Sequence, residues 1–386
     1  DSYTTLWTNF ALGVTPAPVT NVSTGEGFAT INQAIADANT TAGNVIELSK
    51  NLSVSEQQTI TKAVTLEGNG YTVTGNYVKT SGSNNSVISV QSDDVTLRNL
   101  TVDGVNGQAV NQLHGVNIYR SDNVTLQNIA AVNNQTGVNV NGSKVSIAGI
   151  ATANNDWHGV DVDKKNGAGE PAHLTISGAN SHSEPFSVYV DNLDSGGVTD
   201  VDGRYAFVNN PAAPNDFTND RLYRLKLATP SLESPLNNGY TTTNQFNFEW
   251  ADVAGAVSYE FQNSKTNGNA NGVLSTINYS ATSSQSKLWS SGAADGSVRY
   301  WQVRAVDAYG VKSDWSAIWK MTIDMTAPAA PTLTSPANNA IVSGGPVQKW
   351  SHATPADVDH YVYESYADSG LNQLIFATNV TSTQRT

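Results

Sequence analysis

The sequence contains no cysteine and only two methionines among its 386 residues. Without a thiol, the chain cannot form a disulfide, a zinc–thiolate site, an iron–sulfur cluster or a cysteine nucleophile. Charged residues are also scarce at 14%, where roughly a quarter is usual. Asn, Ser, Thr and Gly take their place, and this composition favours short strands and turns over helices.

Basic residues are few: 20 against 33 acidic residues, which gives a formal net charge of −13. Nucleic acid is excluded as a partner, because no basic patch could neutralise its phosphates. No run of 18 or more apolar residues occurs, so we expect no membrane span. The first residue is Asp rather than Met, which indicates a cleaved secretion signal or, alternatively, a removed expression tag. Together these features predict an extracellular location at the cell surface.

An internal repeat occupies the N-terminal half. The segment Gly115-Val116-Asn117-Ile118 recurs as Gly137-Val138-Asn139-Val140 and as Gly159-Val160-Asp161-Val162, with 22 residues in each step. A second alternating segment recurs in parallel, at residues 95–100, 124–129, 145–150 and 174–178. Each repeat therefore holds short strands separated by Gly and Asn corners. A period near 22 residues predicts that the strands of successive repeats stack in parallel sheets.

Two features frame this repeat. Apolar residues recur at helical spacing between Phe28 and Ala38, and an amphipathic helix there would cover the open end of the first repeat. The insert at residues 164–170 lengthens the step that follows Gly159 and is expected to form a projecting loop.

Residues 26–210 resemble the right-handed parallel β-helices of the pectin-lyase-like superfamily. The likeness rests on "FATINQAIADAN", on "NVIEL" and "AVTLEGNGYTVTG" after it, and on the unit "GVNIYRSDNVTLQNI". It implies an all-β fold, a right-handed parallel β-helix with an N-terminal capping helix. Residues 1–25 would then form an N-terminal arm. Members of this superfamily are often polysaccharide lyases, glycoside hydrolases or epimerases.

A second repeat, with a step of 101 residues, begins at Ser231 and again at Thr332. Trp250 and Trp350 occupy equivalent places after these starts. The segments "YWQVRAVDAYGVKSDWS" and "TAPAAPTLTSP" resemble fibronectin type III (FnIII) and bacterial immunoglobulin-like (Ig-like) modules. The resemblance implies β-sandwiches at residues 230–326 and 327–386, after a linker at residues 211–229. The second copy reaches Thr386 without a counterpart of "YWQVRAVD", so we expect an incomplete sandwich and a native polypeptide that continues.

The turn "DWHGVDVD" at residues 156–163 is the best candidate for catalysis. Asp161 and Asp163 would lie on one face of a strand, with His158 and Lys164 beside them, as acid–base chemistry on a polysaccharide requires. The alternative is an ordinary outward-facing polar ladder with a corner histidine. Neither the polygalacturonase pattern nor the pectate-lyase Arg-x-x-x-x-Arg signature is present, so no catalytic residue is assigned. Candidate ligand contacts are Trp157 and Tyr119, which could stack on sugars, with Asn117 and Asn139.

Acidic pairs near the end of the repeat predict a metal site. Asp191, Asp194, Asp200 and Asp202 form the densest group, and Ca²⁺ prefers such hard oxygen ligands. No EF-hand or glycine-rich nonapeptide repeat accompanies them. Nothing in the expected function needs a cofactor beyond this Ca²⁺.

These features favour a secreted cell-surface structural or adhesive protein with a β-helix head on an Ig-like stalk. It would act in adhesion or in the assembly of a surface layer or filament. The expected partners are further copies of itself, or glycans or proteins on a host or neighbouring cell. Two alternatives remain open: a secreted polysaccharide lyase or glycoside hydrolase with accessory FnIII modules, and a viral receptor-binding spike, which would be an intertwined trimer.

Overall fold

The computed structural model describes residues 16–80, 85–105, 111–163, 171–191, 196–208, 221–265, 273–280, 286–290, 293–354 and 358–385. Almost all regular structure in these ranges is β-strand, which confirms the all-β prediction. The strands form a repeat domain followed by two modules of smaller sheets. No helix in the described ranges has the length and apolar character that crossing a membrane demands.

The repeat domain begins with β1 (Val19–Asn21), β2 (Glu26–Phe28) and α1 (Ile31–Ala36). The Thr30 hydroxyl caps α1 by accepting a hydrogen bond from the backbone N–H of Gln33. The predicted amphipathic helix is therefore confirmed, although it is shorter than the apolar spacing suggested, and its apolar face is buried. β1 pairs with a later strand of the repeat domain, so residues 19–21 of the predicted N-terminal arm belong to its sheet, whereas residues 1–15 lie outside the described residues.

Eighteen further strands follow in the described part of the repeat domain. In chain order they are β3 (Val45–Leu48), β4 (Leu52–Val54), β5 (Gln58–Ile60), β6 (Thr65–Glu67), β7 (Thr72–Gly75), β8 (Ser86–Val90), β9 (Thr96–Asp103), β10 (His114–Tyr119), β11 (Val124–Val132), β12 (Val138–Asn141), β13 (Lys144–Ala153), β14 (Val160–Asp163), β15 (Ala172–Ser177), β16 (Ser181–His182), β17 (Val188–Val190), β18 (Gly196–Asp200), β19 (Tyr205–Val208) and β20 (Arg221–Leu225). A twelve-stranded sheet runs β18-β15-β13-β11-β9-β6-β3-β1-β2, with β4, β7 and β16 beside it. An eight-stranded sheet runs β19-β20-β17-β14-β12-β10-β8-β5.

The register of both sheets is the one that the sequence repeat predicts. Val116, Val138 and Val160 pair in parallel across β10, β12 and β14. In the other sheet, Leu97 pairs in parallel with Leu126, which pairs with Ile147. All of these side chains are buried in one core. Because successive residues of a strand point to opposite faces, Asn117, Asn139 and Asp161 lie on the outer face of the eight-stranded sheet.

Paired asparagines build one corner of each repeat. Asn133 and Asn154 have positive φ angles of 56°, which the short Asn side chain tolerates. The residues that follow them, Asn134 and Asn155, are buried, and the Asn134 amide donates to Asn155 Oδ1 at 3.0 Å. These stacked amides leave little room beside the neighbouring strand. This lack of space explains why glycine recurs at the position of that strand that faces the amides.

Replacing Gly137 with Ala is expected to destabilise the repeat domain by about 1–3 kcal/mol. A Cβ atom at this position would lie 2.5 Å from the carbonyl oxygen of Gly159 and 3.1 Å from Asn155 Nδ2. Gly197→Ala is the matched control, because its Cβ would meet only the His173 ring, at 3.3 Å or more. Urea unfolding of both variants checks this, and equal stabilities would contradict the proposed packing constraint.

The end of the repeat domain differs from the expectation of a linker at residues 211–229. Residues Arg221–Leu225 form β20, which pairs antiparallel with β17 and β19 in the eight-stranded sheet. Tyr223 and Leu225 alternate inward toward the core of the repeat domain. The sheet therefore continues through part of the predicted linker, and the following module starts close to it.

The first module is a β-sandwich with its own core. Its strands are β21 (Leu232–Ser234), β22 (Gly239–Thr241), β23 (Gln245–Trp250), β24 (Ala256–Ser264), β25 (Val273–Ser280), β26 (Ser286–Ser290), β27 (Val298–Asp307) and β28 (Trp319–Ile323). They form a three-stranded sheet, β21-β23-β26, and a five-stranded sheet, β22-β28-β27-β24-β25. Trp250, Tyr259 and Trp301 are buried between these sheets.

The second module repeats part of this plan. Its strands are β29 (Thr332–Ser335), β30 (Gln348–Ser351), β31 (Tyr361–Tyr366), β32 (Leu374–Val380) and β33 (Gln384–Arg385). β29-β30-β33 corresponds to β21-β23-β26, and β31-β32 corresponds to β24-β25. Residues 329–354 and 358–385 contain no counterpart of β27 or β28, and Val362 and Ile375 are exposed there. The predicted equivalence of Trp250 with Trp350 holds, since both are buried.

Candidate functional site

The candidate site lies on the outer face of the eight-stranded sheet. Parallel pairing places Ser89, Asn117, Asn139, Asp161 and Tyr189 side by side in one row, which we call the outer ladder. Three residues earlier in the chain, a second row crosses the starts of the same strands. We call it the corner row, and it consists of His114, Thr136, His158 and Phe186.

An Asp–His pair joins the two rows. The Nδ1 atom of His158 lies 2.7 Å from Asp161 Oδ1, and the Thr136 hydroxyl donates to Asp161 Oδ2 at 2.9 Å. Asp161 is only 4% exposed, so these contacts compensate for the burial of its carboxylate. The His158 ring stacks on Tyr189 with 4.5 Å between ring centroids and an interplanar angle of 6°. This packing fixes the imidazole, with its Nε2 atom facing away from Asp161.

A second histidine lies in the corner row. His114 is 7% exposed, and burial lowers its pKa to about 4; the nearby Asp161 carboxylate partly opposes this shift and the Lys79 charge adds to it. His114 is therefore neutral at pH 7. Its ring contacts the edge of Trp157 at 6.3 Å, and Trp157 is 44% exposed. An aromatic surface thus borders the polar rows.

The outer ladder contains polar atoms without partners. Asn117 is 8% exposed and Asn139 is 7% exposed, yet neither Oδ1 atom has a hydrogen-bond partner in the described structure. His114 Nδ1 is likewise buried and unpartnered there. Buried polar atoms in proteins nearly always have a hydrogen-bond partner, so these three point to a ligand or to ordered water.

The first sandwich stands at one end of the outer ladder. Arg224 of β20 donates from Nε to Asp307 Oδ2 at 2.7 Å, and its guanidinium lies 4.2 Å from the centre of the Tyr309 ring. Tyr309 also contacts the Phe186 ring at 5.5 Å. Val311 of the sandwich packs with Leu222 of β20. The turn that follows β27 therefore forms a wall beside the last residues of both rows.

The structure brings some of the predicted site residues together. His158, Asp161 and Asn139 lie in neighbouring positions, with Trp157 beside His158 in the chain. Two residues after the outer ladder in each strand, the next outward-facing positions form a separate row. In that row Tyr119 pairs with Asn141, and Asn141 pairs with Asp163. The Arg120 guanidinium covers Tyr119 at 4.8 Å from the ring centre. Lys164 lies outside the described residues.

The predicted Ca²⁺ ligands make other contacts. Asp200 Oδ2 accepts a hydrogen bond from the backbone N–H of Tyr205, and Asp202 Oδ2 accepts one from that of Gly178, both at 2.6 Å. Asp191 follows the last residue of β17, and Asp194 lies outside the described residues. In the described part of the chain, no three His, Asp or Glu side chains converge as a metal site. Calcium binding stays a prediction.

Sequence reasoning missed several residues of this site. Thr136 precedes Gly137 as His158 precedes Gly159, so the repeat could have identified its place in the corner row. No comparable signal exists for Arg224 and Asp307, because they belong to different domains and are far apart in the chain.

No protein-family model and no curated protein matches the chain. Among solved structures, an Fn3-like protein from Clostridium thermocellum is 24% identical, with a TM-score of 0.20; the match covers 26% of this chain and 99% of that one. The FN1–FN3 domains of chicken CNTN1 are 12% identical, with a TM-score of 0.29; that match covers 43% of this chain and 58% of that one. Both are partial similarities, and the fold described above rests on the strand pairing of this chain.

Proposed function

We propose that this chain is a secreted cell-surface adhesive protein whose outer ladder is the contact face. In this proposal the repeat domain is a right-handed parallel β-helix of the pectin-lyase-like kind and forms the head. The FnIII- or Ig-like sandwiches form the stalk. The observation that carries the proposal is the pair of buried, unpartnered Oδ1 atoms of Asn117 and Asn139 on an outward-facing row.

The chemistry of this face suits a hydroxyl-rich or amide-rich partner. The Asn Oδ1 atoms accept hydrogen bonds, and the stacked repeats hold them at the spacing of adjacent strands, about 4.8 Å. Trp157 offers an exposed aromatic surface at the border of the same face. Glycans or proteins on a host or neighbouring cell fit these groups, as does a second copy of the chain.

Replacing both Asn117 and Asn139 with Ala is expected to weaken binding by at least about fivefold, since two hydrogen bonds are worth about 1–3 kcal/mol together. The measurement is binding to an array of immobilised oligosaccharides and to the purified chain itself. Asn247→Ala is the matched control, because Asn247 is an exposed strand residue in the first sandwich. Equal binding by the double variant and the wild type would contradict the assignment of this face.

Light scattering of the purified chain, first with Ca²⁺ and then with a chelator, distinguishes a surface-layer or filament protein from a stalked adhesin. An assembly that dissociates on chelation would support a Ca²⁺-dependent surface layer or filament. A monomer under both conditions would support a stalked adhesin or an enzyme. A stable trimer would instead favour the viral receptor-binding spike.

A second candidate function is polysaccharide cleavage, favoured by the 2.7 Å contact between His158 and Asp161. Asp161 holds the imidazole in one orientation, and such a pair can act as a general base. The test is turnover of a polysaccharide panel by the wild type and by the Asp161→Asn/Asp163→Asn variant. Turnover that the variant loses would establish an enzyme, whereas equal inactivity of both proteins would end this alternative.

A further inference from the structure

We infer that the ligand site crosses the domain junction, so that a neutral oligosaccharide lies across the partly exposed His158 and Phe186 of the corner row and stacks one sugar on Tyr309 of the first sandwich. This inference rests on the proposed function and adds the ligand class and the second domain. The relevant surface runs from Trp157, beside His114, to Tyr309, beside Phe186.

The dimensions of this surface suit a chain of sugars. His114, Thr136, His158 and Phe186 lie at or just before the starts of four consecutive strands, which span roughly 14 Å at the usual strand spacing. The exposed aromatic residues, Trp157 and Tyr309, lie toward the two ends of this row. Between them, the imidazole of His158 is partly exposed, whereas His114, Thr136 and the unpartnered acceptors of the outer ladder are buried. A single sugar could not contact both ends.

Tyr309 is held in place before a ligand arrives. The guanidinium of Arg224 lies 4.2 Å from its ring centre, and the Phe186 ring makes an edge contact with it, while 41% of Tyr309 stays exposed. The backbone N–H of Tyr309 also donates to Asp307 Oδ1 at 2.8 Å. A ring fixed in this way loses little conformational entropy on binding, which favours stacking.

The charges around this surface favour an uncharged ligand. Arg224 is neutralised by Asp307, and Asp161 contributes a buried carboxylate. Among the described residues, Lys79 places a positive charge near His114. A polyuronate or a sulphated glycan would also approach a protein with a formal net charge of −13. Neutral sugars avoid this repulsion and still stack on the exposed aromatic faces.

The test is titration calorimetry with neutral linear hexasaccharides of glucose, xylose, mannose and N-acetylglucosamine, and with hexagalacturonate as the charged comparison. Tyr309→Ala is expected to weaken binding of the preferred hexasaccharide by at least about tenfold, whereas Tyr309→Phe should retain it. Tyr240→Ala is the matched control, since Tyr240 is 71% exposed on β22 of the same sandwich. Tyr309→Leu, which keeps an apolar contact with Phe186, serves if the Ala variant unfolds.

The outcomes separate this inference from the proposed function. If no saccharide binds the wild type, saccharide recognition fails as a whole. If Asn139→Ala abolishes binding and Tyr309→Ala leaves it unchanged, the repeat domain binds the sugar alone and the junction plays no part. Tighter binding of hexagalacturonate than of any neutral hexasaccharide would overturn the assignment of the ligand class.

Discussion

Lowering the pH from 7 to 4 is expected to reduce the free energy of unfolding of the repeat domain by about 5 kcal/mol, because two histidines must gain a proton on unfolding. Burial lowers the pKa of His114 and of His182 from 6.5 to about 4. Each histidine therefore gains its proton in the unfolded chain at a pH where it is still neutral in the folded chain.

The direction of the effect follows from proton uptake. Between pH 6.5 and about 4, the unfolded state binds more protons than the folded state, so stability falls as the pH falls. The contribution is fully present above pH 6.5 and is lost by about pH 4. It amounts to about 3 kcal/mol for His114 and about 2 kcal/mol for His182, which retains some contact with solvent.

His182 is also the centre of a hydrogen-bonded chain that protonation would disturb. Thr152 Oγ1 donates to Glu184 Oε2 at 2.6 Å, so it must accept from His182 Nδ1, at 2.7 Å. His182 Nε2 then has no proton and accepts from the Tyr205 hydroxyl at 2.7 Å. A second proton on the imidazole would remove that acceptor. These hydrogen bonds link β13, β16 and β19, so losing them weakens the contacts between the last repeats.

Urea unfolding between pH 7 and pH 4 measures this dependence. The His114→Gln/His182→Gln variant should be less stable than the wild type at pH 7 but should lose less stability on acidification. His173→Gln is the matched control, because His173 contacts Thr199 through an exposed hydrogen bond. If the double variant and the wild type show the same pH slope, the buried histidines do not cause the acid sensitivity.

The sequence predicts the repeat register well, because each position of the repeat has a distinct physical task. Valine at the inward positions fills the core, glycine at the corner admits the stacked Asn amides, and the outward position tolerates Asn or Asp. Asn117, Asn139 and Asp161 could therefore be assigned to one outward row from spacing alone. Because Asp161 shares this row with two asparagines, the sequence alone does not distinguish a catalytic carboxylate from an ordinary polar side chain at this position.

The sequence does not predict where the pattern changes. Glu184 replaces asparagine in the buried corner, where it accepts a hydrogen bond from the Asn155 amide at 2.6 Å. The step to this residue is longer because of the insert at residues 164–170, so spacing cannot align Glu184 with Asn134 and Asn155. β20 could not be predicted from the sequence for a related reason. Arg221–Leu225 follows the repeat but does not share its period, so its position in the sheet is known only from its pairing with β17.

Replacing Asp307 with Ala is expected to cost about 3–5 kcal/mol in the free energy of unfolding of the first sandwich, since it leaves a partly buried arginine without its partner. Asp307 is 4% exposed, and its Oδ2 atom accepts from Arg224. Its Oδ1 atom accepts from the backbone N–H groups of Tyr309, at 2.8 Å, and Val311, at 2.9 Å. The substitution thus removes the ion pair and two hydrogen bonds of the turn together.

Asp314→Ala is the matched control for this effect. Asp314 accepts from Lys226 at 2.9 Å across the same junction, but its side chain is 72% exposed, so its loss should cost less than about 1 kcal/mol. Asp307→Asn separates the two contributions of Asp307, because its amide oxygen can still accept from the turn while the charge is lost. Urea unfolding of the three variants measures the differences.

The position of Arg224 makes a further consequence testable. Arg224 lies on β20, which is paired within the eight-stranded sheet of the repeat domain. If the ion pair couples the domains, Asp307→Ala should reduce the protection of β20 amides from hydrogen exchange and should weaken saccharide binding by misplacing Tyr309. Equal effects of Asp307→Ala and Asp314→Ala on urea stability, on hydrogen exchange and on saccharide binding would contradict this coupling. That result would mean that apolar contacts such as that of Val311 with Leu222 hold the junction.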